Sequence, residues 1–351
     1  MKRGKNTALA ASEGENACGG IPESTILQER VSGKGSAPAS GGKPGKTKKF
    51  FTRSAVREEI NGFLFAMPVI LGLIIFTFIP AVQGFIYAFC SYNGFGTPTF
   101  IGLTNFERMF TADWDRDMKY VFANTFLFAF INVPLSLVLG YLLALLLNTE
   151  MKGIRVFRTL IYLPCVIPGV VTSLLWADMF SVQGGIINQI LTMVGLPEAT
   201  FFSSSSTSMA TFIWTTTWSL GGSMIIWLAA FKNVPVQLQE AAVLDGASYV
   251  QRLIHVTIPM TTPMIFYNLI QGIIGSLQMF NTYIVASDTS GKGIDNSLYM
   301  FAVKIYTEAF TGNNPALGYA SAIGLVLFLI IAFFTALAFA TNKWVHYAED
   351  D

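Results

Sequence analysis

Six apolar stretches constrain this chain more than any other feature: approximately residues 62–90, 121–147, 157–180, 209–231, 263–286 and 318–341. A hydrocarbon core about 30 Å thick is crossed by about 20 helical residues. In lipid the backbone must satisfy its own hydrogen bonds, which helices and closed barrels alone achieve. Runs of this length read as helices, so the expected fold is an all-α membrane protein with six transmembrane helices. Composition agrees: with 52% hydrophobic and 12% charged residues, the chain has about half the charge of a soluble domain. One water-facing core does not hide that much apolar surface. The fourth run is the weakest, because SMATFIWTTTWSLGGSM is rich in Thr, Ser and Gly, which suit a packed bundle or a watery cavity better than lipid.

Orientation follows from Lys and Arg. With the N-terminus inside, 17 of the 22 basic residues are cytoplasmic, 11 of them in the N-terminal tail, and 5 lie outside: Arg108, Arg116, Lys119, Lys292 and Lys304. The loops alone divide 6 to 5. The cluster Lys46, Lys48, Lys49, Arg53 and Arg57, just before the first run, therefore carries the assignment of both termini to the cytoplasm. The outer acids Asp113, Asp115 and Asp117 do not enter this rule.

Residues 1–59 are expected to form a disordered basic cytoplasmic tail, since a Gly-, Ser-, Lys- and Ala-rich segment has too few large apolar groups to offset the entropy of ordering. Within it, SGGKPGKT at 40–47 imitates a phosphate-binding loop, but Ser40 stands where the first glycine is needed. Cys18, Cys90 and Cys165 form no disulfide or ligand pattern, and no metal site is expected. The first outer loop, SYNGFGTPTFIGLTNFERMFTADWDRDMKY, is too polar to span, and its aromatics suit the membrane interface. Segments 184–196 and 298–310 have apolar residues at helical spacing. In the latter, Leu298, Phe301, Ala302 and Ile305 would share one face of a short helix lying on the bundle.

Between runs four and five lies a compact polar loop, 235–259. Pro235 can open a helix, VQLQEAAVL is made of good helix formers, and Asp245 and Gly246 stop it. Ser248 then caps a second short helix, YVQRLIHV, which Pro259 is expected to close. Ala241 and Ala242 present little bulk, and Tyr249 and Leu253 supply a small apolar face. A bent helical pair of this kind suits docking into a groove on another protein. A loop clamped against the inner span ends is the alternative.

These residues carry a resemblance. Glu240, Ala241 and Ala242, then Gly246, then Val256, Thr257, Ile258 and Pro259 resemble the cytoplasmic EAA signature of binding-protein-dependent ABC importer permeases, in the form EAAVLDGAS typical of carbohydrate importers. The signature usually ends Ile, any residue, Leu, Pro, and here Val and Ile replace the first and third. IGLTNFERMF, NTFLFAFINVPLSLVLGYLLALLLN, RVFRTLIYLPCVIPGVVTSLLWADMF and LGYASAIGLVLFLI also look like the maltose and glycerol 3-phosphate type of permease, so the resemblance covers roughly residues 60–345. It implies an ABC type I importer transmembrane domain over 60–345, in a bacterial cytoplasmic membrane. Glu240, Ala241, Ala242, Asp245, Gly246 and Pro259 would belong to the ATPase-coupling loop 235–259. It also implies the partners: a second permease subunit in a heterodimer, ABC ATPase subunits, an extracytoplasmic solute-binding protein, a sugar or oligosaccharide and membrane lipid, with no nucleic acid. The chain itself would bind no cofactor and catalyse nothing, ATP being used by the partner ATPase.

A sugar site needs hydrogen-bonding side chains and aromatic faces in one cavity. Thr216, Trp218, Ser219 and Ser223 in the fourth run, and Ser276, Gln278, Phe280, Asn281 and Tyr283 in the fifth, are the candidates. For each polar one the alternative is a helix-to-helix hydrogen bond, and Trp218 and Tyr283 could equally be packing. Asn132 and Asn268 read as structural. A glycerol phosphate substrate is disfavoured because these two runs carry no cation to hold the phosphate. A proton- or ion-coupled secondary carrier of small solutes is the rival reading. It would be expected to keep ionisable residues in mid-membrane, where the runs have essentially none: Asp178 sits near an outer end, and His255 and His346 lie inside. A membrane-embedded enzyme would need a nucleophile with its base, or a metal cluster, which two histidines outside the spans do not supply.

Overall fold

A computed structural model describes residues 53–286, 290–311 and 315–346. Of the expected tail 1–59, residues 1–52, with the 40–47 segment, lie outside the described residues, whereas 53–59 are not disordered but begin the first helix. The chain divides into two units after Phe65, and the sites described below belong to the second.

Helix α1 (Arg53–Leu73) passes through a π-turn (Ile74–Phe78) into α2 (Ile79–Tyr87). Pro80 has no N–H to give, and the wider turn before it absorbs the missing bond. Side chains such as Phe76, 80% exposed, face away from the bundle, an arrangement costly in water and free of cost in lipid. A two-stranded antiparallel hairpin, β1 (Cys90–Ser91) and β2 (Thr99–Phe100), leads to α3 (Thr104–Phe110). A second π-turn (Trp114–Met118) opens the long α4 (Lys119–Leu147).

The third expected span is not one helix but two, α5 (Ile154–Val166) and α6 (Gly169–Met179), bent by 92°. Proline forces the residue before it out of the helical region, and Ile167, ahead of Pro168, has φ −74° and ψ 129°. After α7 (Ile186–Met193), the fourth expected span is also divided, into α8 (Ser205–Thr216), a 3₁₀ turn (Thr217–Ser219) and α9 (Gly221–Lys232). Around the division Thr215, Thr216 and Thr217 each bond back to the carbonyl three residues earlier, competing with the α-helical ladder.

Helices α10 (Val236–Leu244) and α11 (Tyr249–Arg252) follow. Pro259 does not close α11 as expected: a π-turn (Leu253–Thr257) takes up its missing donor, and the chain continues into α12 (Ile258–Leu277), giving an unbroken span Tyr249–Leu277. That span stops at Leu277, short of the expected 286. A short α13 (Thr282–Val285), α14 (Phe301–Phe310) and α15 (Leu317–Ala340) complete the order. Among the described residues, then, four single helices are long and apolar enough to cross a membrane, and the bent α5–α6 pair makes a fifth candidate. Helix α12 packs on α4, α9 on α4 and α5, and α14 on α15. The α9–α5 contact needs glycine, because a Cβ at Gly221 would run into the Ile161 carbonyl. Helix α14 is more deeply set than a helix lying on the bundle: Phe301, Val303 and Lys304 are fully buried, as is Leu298 just before it.

Candidate functional site

The break in the third run makes room. A cavity of about 410 Å³ lies at the α5–α6 bend, facing α8, the 3₁₀ turn and the bend after α12. Pro164, Cys165, Gly169, Thr172, Ser173 and Trp176 line it from the bent pair. Thr215, Thr216, Ser219 and Gly222 line it from the divided fourth run, and Met279 and Asn281 close it. No charged side chain is among its walls. Its hydroxyl protons are already engaged within the chain: Ser173 Oγ donates to the Gly169 carbonyl at 2.7 Å, Thr215 Oγ1 to that of Phe212 at 2.7 Å, and Thr216 Oγ1 shares its one proton between the Ile213 carbonyl at 2.6 Å and Asn132 Oδ1 at 2.8 Å. Each hydroxyl oxygen keeps lone pairs that can accept from a polyhydroxyl ligand. The Asn281 carboxamide abuts Gly169, where a Cβ would come within 3.1 Å of Nδ2. Trp176 stacks on Phe180 and meets the edge of Trp218 at 5.6 Å, so one aromatic face borders the polar wall.

Of the predicted path residues, Thr216, Ser219 and Asn281 reach this cavity, and Trp218 stands behind Trp176. The others do not. Ser276 accepts a bond from Asn132 Nδ2 at 3.1 Å, so Asn132 ties α4 to α8 and α12 at once, the helix-to-helix role its type allows. Ser223 donates to the Leu220 carbonyl, and Asn268 to that of Met264. Gln278 is exposed at the end of α12. Phe280 stacks on Tyr283, and both meet Tyr306 of α14. The expected grouping assumed helix through residue 286; once the helix stops at Leu277, its register no longer holds. Gly169 and Trp176 were not singled out, although the paired prolines Pro164 and Pro168 were the visible signal of a bend beside them.

The α10–α11 segment has the bend its sequence specifies. Gly246 has φ +80°, its N–H bonds to the Val243 carbonyl at 3.0 Å, and the Ala247 N–H reaches that of Ala242 at 2.9 Å, the paired bonds of a glycine-ended helix. Ser248 and Gln251 then cap α11 reciprocally. Glu240, Ala241, Asp245 and Gly246 are exposed, Ala242 and Pro259 half-buried. Apolar side chains of this segment face outward as well: Leu244 is 88% exposed and Tyr249 62%. A side-chain bond from Gln239 Nε2 to Thr257 Oγ1, 3.1 Å, ties α10 to the turn that follows α11.

At the opposite end sits a charge cluster that no motif announced. Lys304 is fully buried, with Glu308 Oε1 at 2.8 Å, Asp117 Oδ2 at 2.9 Å and Asp113 Oδ2 at 3.7 Å. Lys292 meets Asp117 at 3.1 Å, Arg116 meets Asp113 at 2.8 Å, Arg108 meets Asp113 at 3.5 Å, and Lys119 meets Asp115 at 3.7 Å. Each of the five basic residues read as outer is thus matched by an acid. Burial alone would push the Lys304 ammonium down. Tyr299, Glu308 and Asp117 outweigh it and hold the group above its ordinary value, while burial pushes the neighbouring Tyr299 phenol up to about 12. Residues 187 positions apart in sequence give no local sign of pairing.

The chain is 36% identical over 306 residues to the probable ABC transporter permease protein YesP of Bacillus subtilis, a match covering 86% of this chain and 96% of that protein. It belongs to the ABC transporter permeases. The permease is also 31% identical to the diacetylchitobiose uptake system permease protein NgcF of Streptomyces coelicolor, over 90% of each chain. It is 30% identical to the lactose transport system permease protein LacF of Rhizobium radiobacter, over 82% of the permease and 96% of that protein. No protein-family model matches the sequence. Among solved structures, a chain of a bacterial ABC transporter involved in the import of the acidic polysaccharide alginate superposes with a TM-score of 0.71 at 22% identity, over 84% of the permease and 100% of that chain. That likeness is one of fold. The family read from residues 240–259 and the apolar runs is thereby borne out, and the permease is a transport component of the membrane.

Proposed function

We propose that the permease forms half of the translocation pathway of an ATP-driven, binding-protein-dependent sugar importer. In this reading it pairs with a second permease subunit, receives sugar from an extracytoplasmic solute-binding protein, and is driven by ABC ATPase subunits that hold the ATP. It crosses the membrane six times, with α8, the 3₁₀ turn and α9 together as one crossing and both termini cytoplasmic. The observation that carries the reading is the α10–α11 pair, a capped bend whose Leu244 and Tyr249 side chains are exposed. Exposed apolar groups on a projecting element are paired in an assembly, and Glu240 to Gly246 is the surface they would offer an ATPase cleft. Closure of the ATPases would then rock α12, continuous with α11, and open the cavity alternately to each side.

The cavity lined by Thr216, Ser219, Asn281 and Trp176 is taken as the substrate path on this side of the pair. Its walls carry hydroxyl and carboxamide groups and no cation, which favours a neutral mono- or oligosaccharide over an acidic or phosphorylated one. Affinity purification of the tagged permease from its own membrane should recover an ATPase subunit, and cysteine placed at Ala241 should crosslink to it. Sugar uptake driven by a proton gradient without any ATPase would instead support a secondary carrier.

A further inference from the structure

We propose that the groove between α5 and α9, at the end holding Arg158 and Lys232, binds the phosphate headgroup of an anionic phospholipid. The groove measures about 420 Å³, and its walls include Arg158, Thr159, Tyr162, Ile225, Leu228 and Lys232. The helices run antiparallel here: Gly221 and Gly222 at the start of α9 meet Ile161 and Cys165. Arg158 near the start of α5 and Lys232 at the end of α9 therefore reach the same end of the groove. No carboxylate lines it, and neither cation joins an ion pair among the described residues.

Arg158 is already held in place. Its Nε and Nη2 donate to the Leu147 carbonyl at 3.2 and 2.6 Å, which orients the guanidinium and leaves Nη1 for a phosphate oxygen. From Lys232, Leu228 and Ile225 continue along one face of α9 at helical spacing, with Ile225 46% exposed. Tyr162, 40% exposed, adds a ring with a polar tip. Cations at one end and an apolar stripe leading away match a phospholipid end to end, and basic pockets between spans on the cytoplasmic side are lipid headgroup sites. Free phosphate or a phosphorylated solute would use the same cations but leave the stripe wet. Basic residues at a span end need no groove to satisfy the orientation rule; an anchored guanidinium beside an unpaired lysine in a groove goes further. The inference rests on the proposed orientation, with this end cytoplasmic.

The test is native mass spectrometry of the purified permease complex, equilibrated with phosphatidylglycerol or phosphatidylcholine. The complex should retain phosphatidylglycerol in preference to phosphatidylcholine. Retention should weaken roughly fivefold for Lys232→Gln and roughly 25-fold for Lys232→Glu, one attraction lost and one repulsion added, with Lys232→Arg near wild type. Equal retention of the two lipids, or wild-type retention in Lys232→Glu, overturns the proposal. So does complete displacement of the lipid by excess inorganic phosphate, which would make the site one for a soluble anion. Sugar-stimulated ATPase activity of the same preparation separates the two readings: normal stimulation without lipid preference sinks the lipid site alone, whereas a preparation lacking any ATPase subunit sinks the proposed function.

Discussion

Replacing Lys304 by methionine keeps most of its volume and removes its charge from a site with no solvent access. Breaking a buried ion pair from one side costs about 3–5 kcal/mol, because the other charge stays buried. Here the three acids are not stranded. Asp117 keeps Lys292 at 3.1 Å, Asp113 keeps Arg116 at 2.8 Å, and Glu308 keeps Arg108 at 3.7 Å. The cost should therefore sit at the low end, about 3 kcal/mol, or roughly two powers of ten in the equilibrium that releases this end of the bundle. Cys90 reports on it, being 5% exposed and held where its carbonyl accepts from Asn105 Nδ2 at 3.0 Å. A thiol-reactive dye should label Cys90 about a hundredfold faster in Lys304→Met than in wild type, in a background with Cys18 and Cys165 removed. Lys304 is held above its unfolded value of about 10.4, so its contribution is fully present below about pH 10 and is lost only as pH rises through the folded value. The gap between wild type and variant should accordingly stay constant from about pH 6 to 9. Equal labelling rates, or a gap that closes within that range, would refute the idea that this ammonium clamps α14 to the start of α4.

Gly246→Asp should insert normally and lose sugar uptake. A Cβ at Gly246 meets nothing within 4 Å in its own chain, so beyond about 1–2 kcal/mol of left-handed strain any loss must come from a partner; unimpaired uptake would count against docking there. Gly221→Ala should cut the yield of monodisperse protein on size exclusion, at a cost of about 1–3 kcal/mol for forcing α9 off α5, while Gly222→Ala, whose Cβ would make an ordinary 3.7 Å contact with Cys165 Sγ, should give the wild-type yield. Asn281→Ala should raise the half-saturating sugar concentration in uptake about threefold to tenfold, the worth of one lost hydrogen bond, and an unchanged value would remove Asn281 from the substrate path. Thr216→Val breaks the Asn132 bridge as well as the cavity wall, so both its thermal midpoint and its uptake should fall, whereas a purely structural role would move only the midpoint.

Local chemistry made much of this protein legible. Apolar length announced the helices, Gly246 and Ser248 set the end of α10 and the cap of α11, and the small and hydroxyl side chains of 208–224 marked the fourth run as something other than a plain span. Such features are written in neighbouring residues, whose backbone preferences act over one or two turns. Proline has two outcomes in this chain: Pro168 follows a right-angle break, whereas Pro259 is absorbed by a π-turn. Both prolines lie in or next to apolar runs, and neither residue by itself shows which outcome follows. The cavity wall, the three-helix junction at Asn132 and the buried Lys304 cluster join residues from distant segments, so only packing decided them. Sequence by itself determined where this chain would be helical and greasy and how the α10–α11 bend would turn; the tertiary structure decided where the longer runs break and which polar groups meet, because hydrogen bonds and ion pairs act over about 3 Å whatever the separation along the chain.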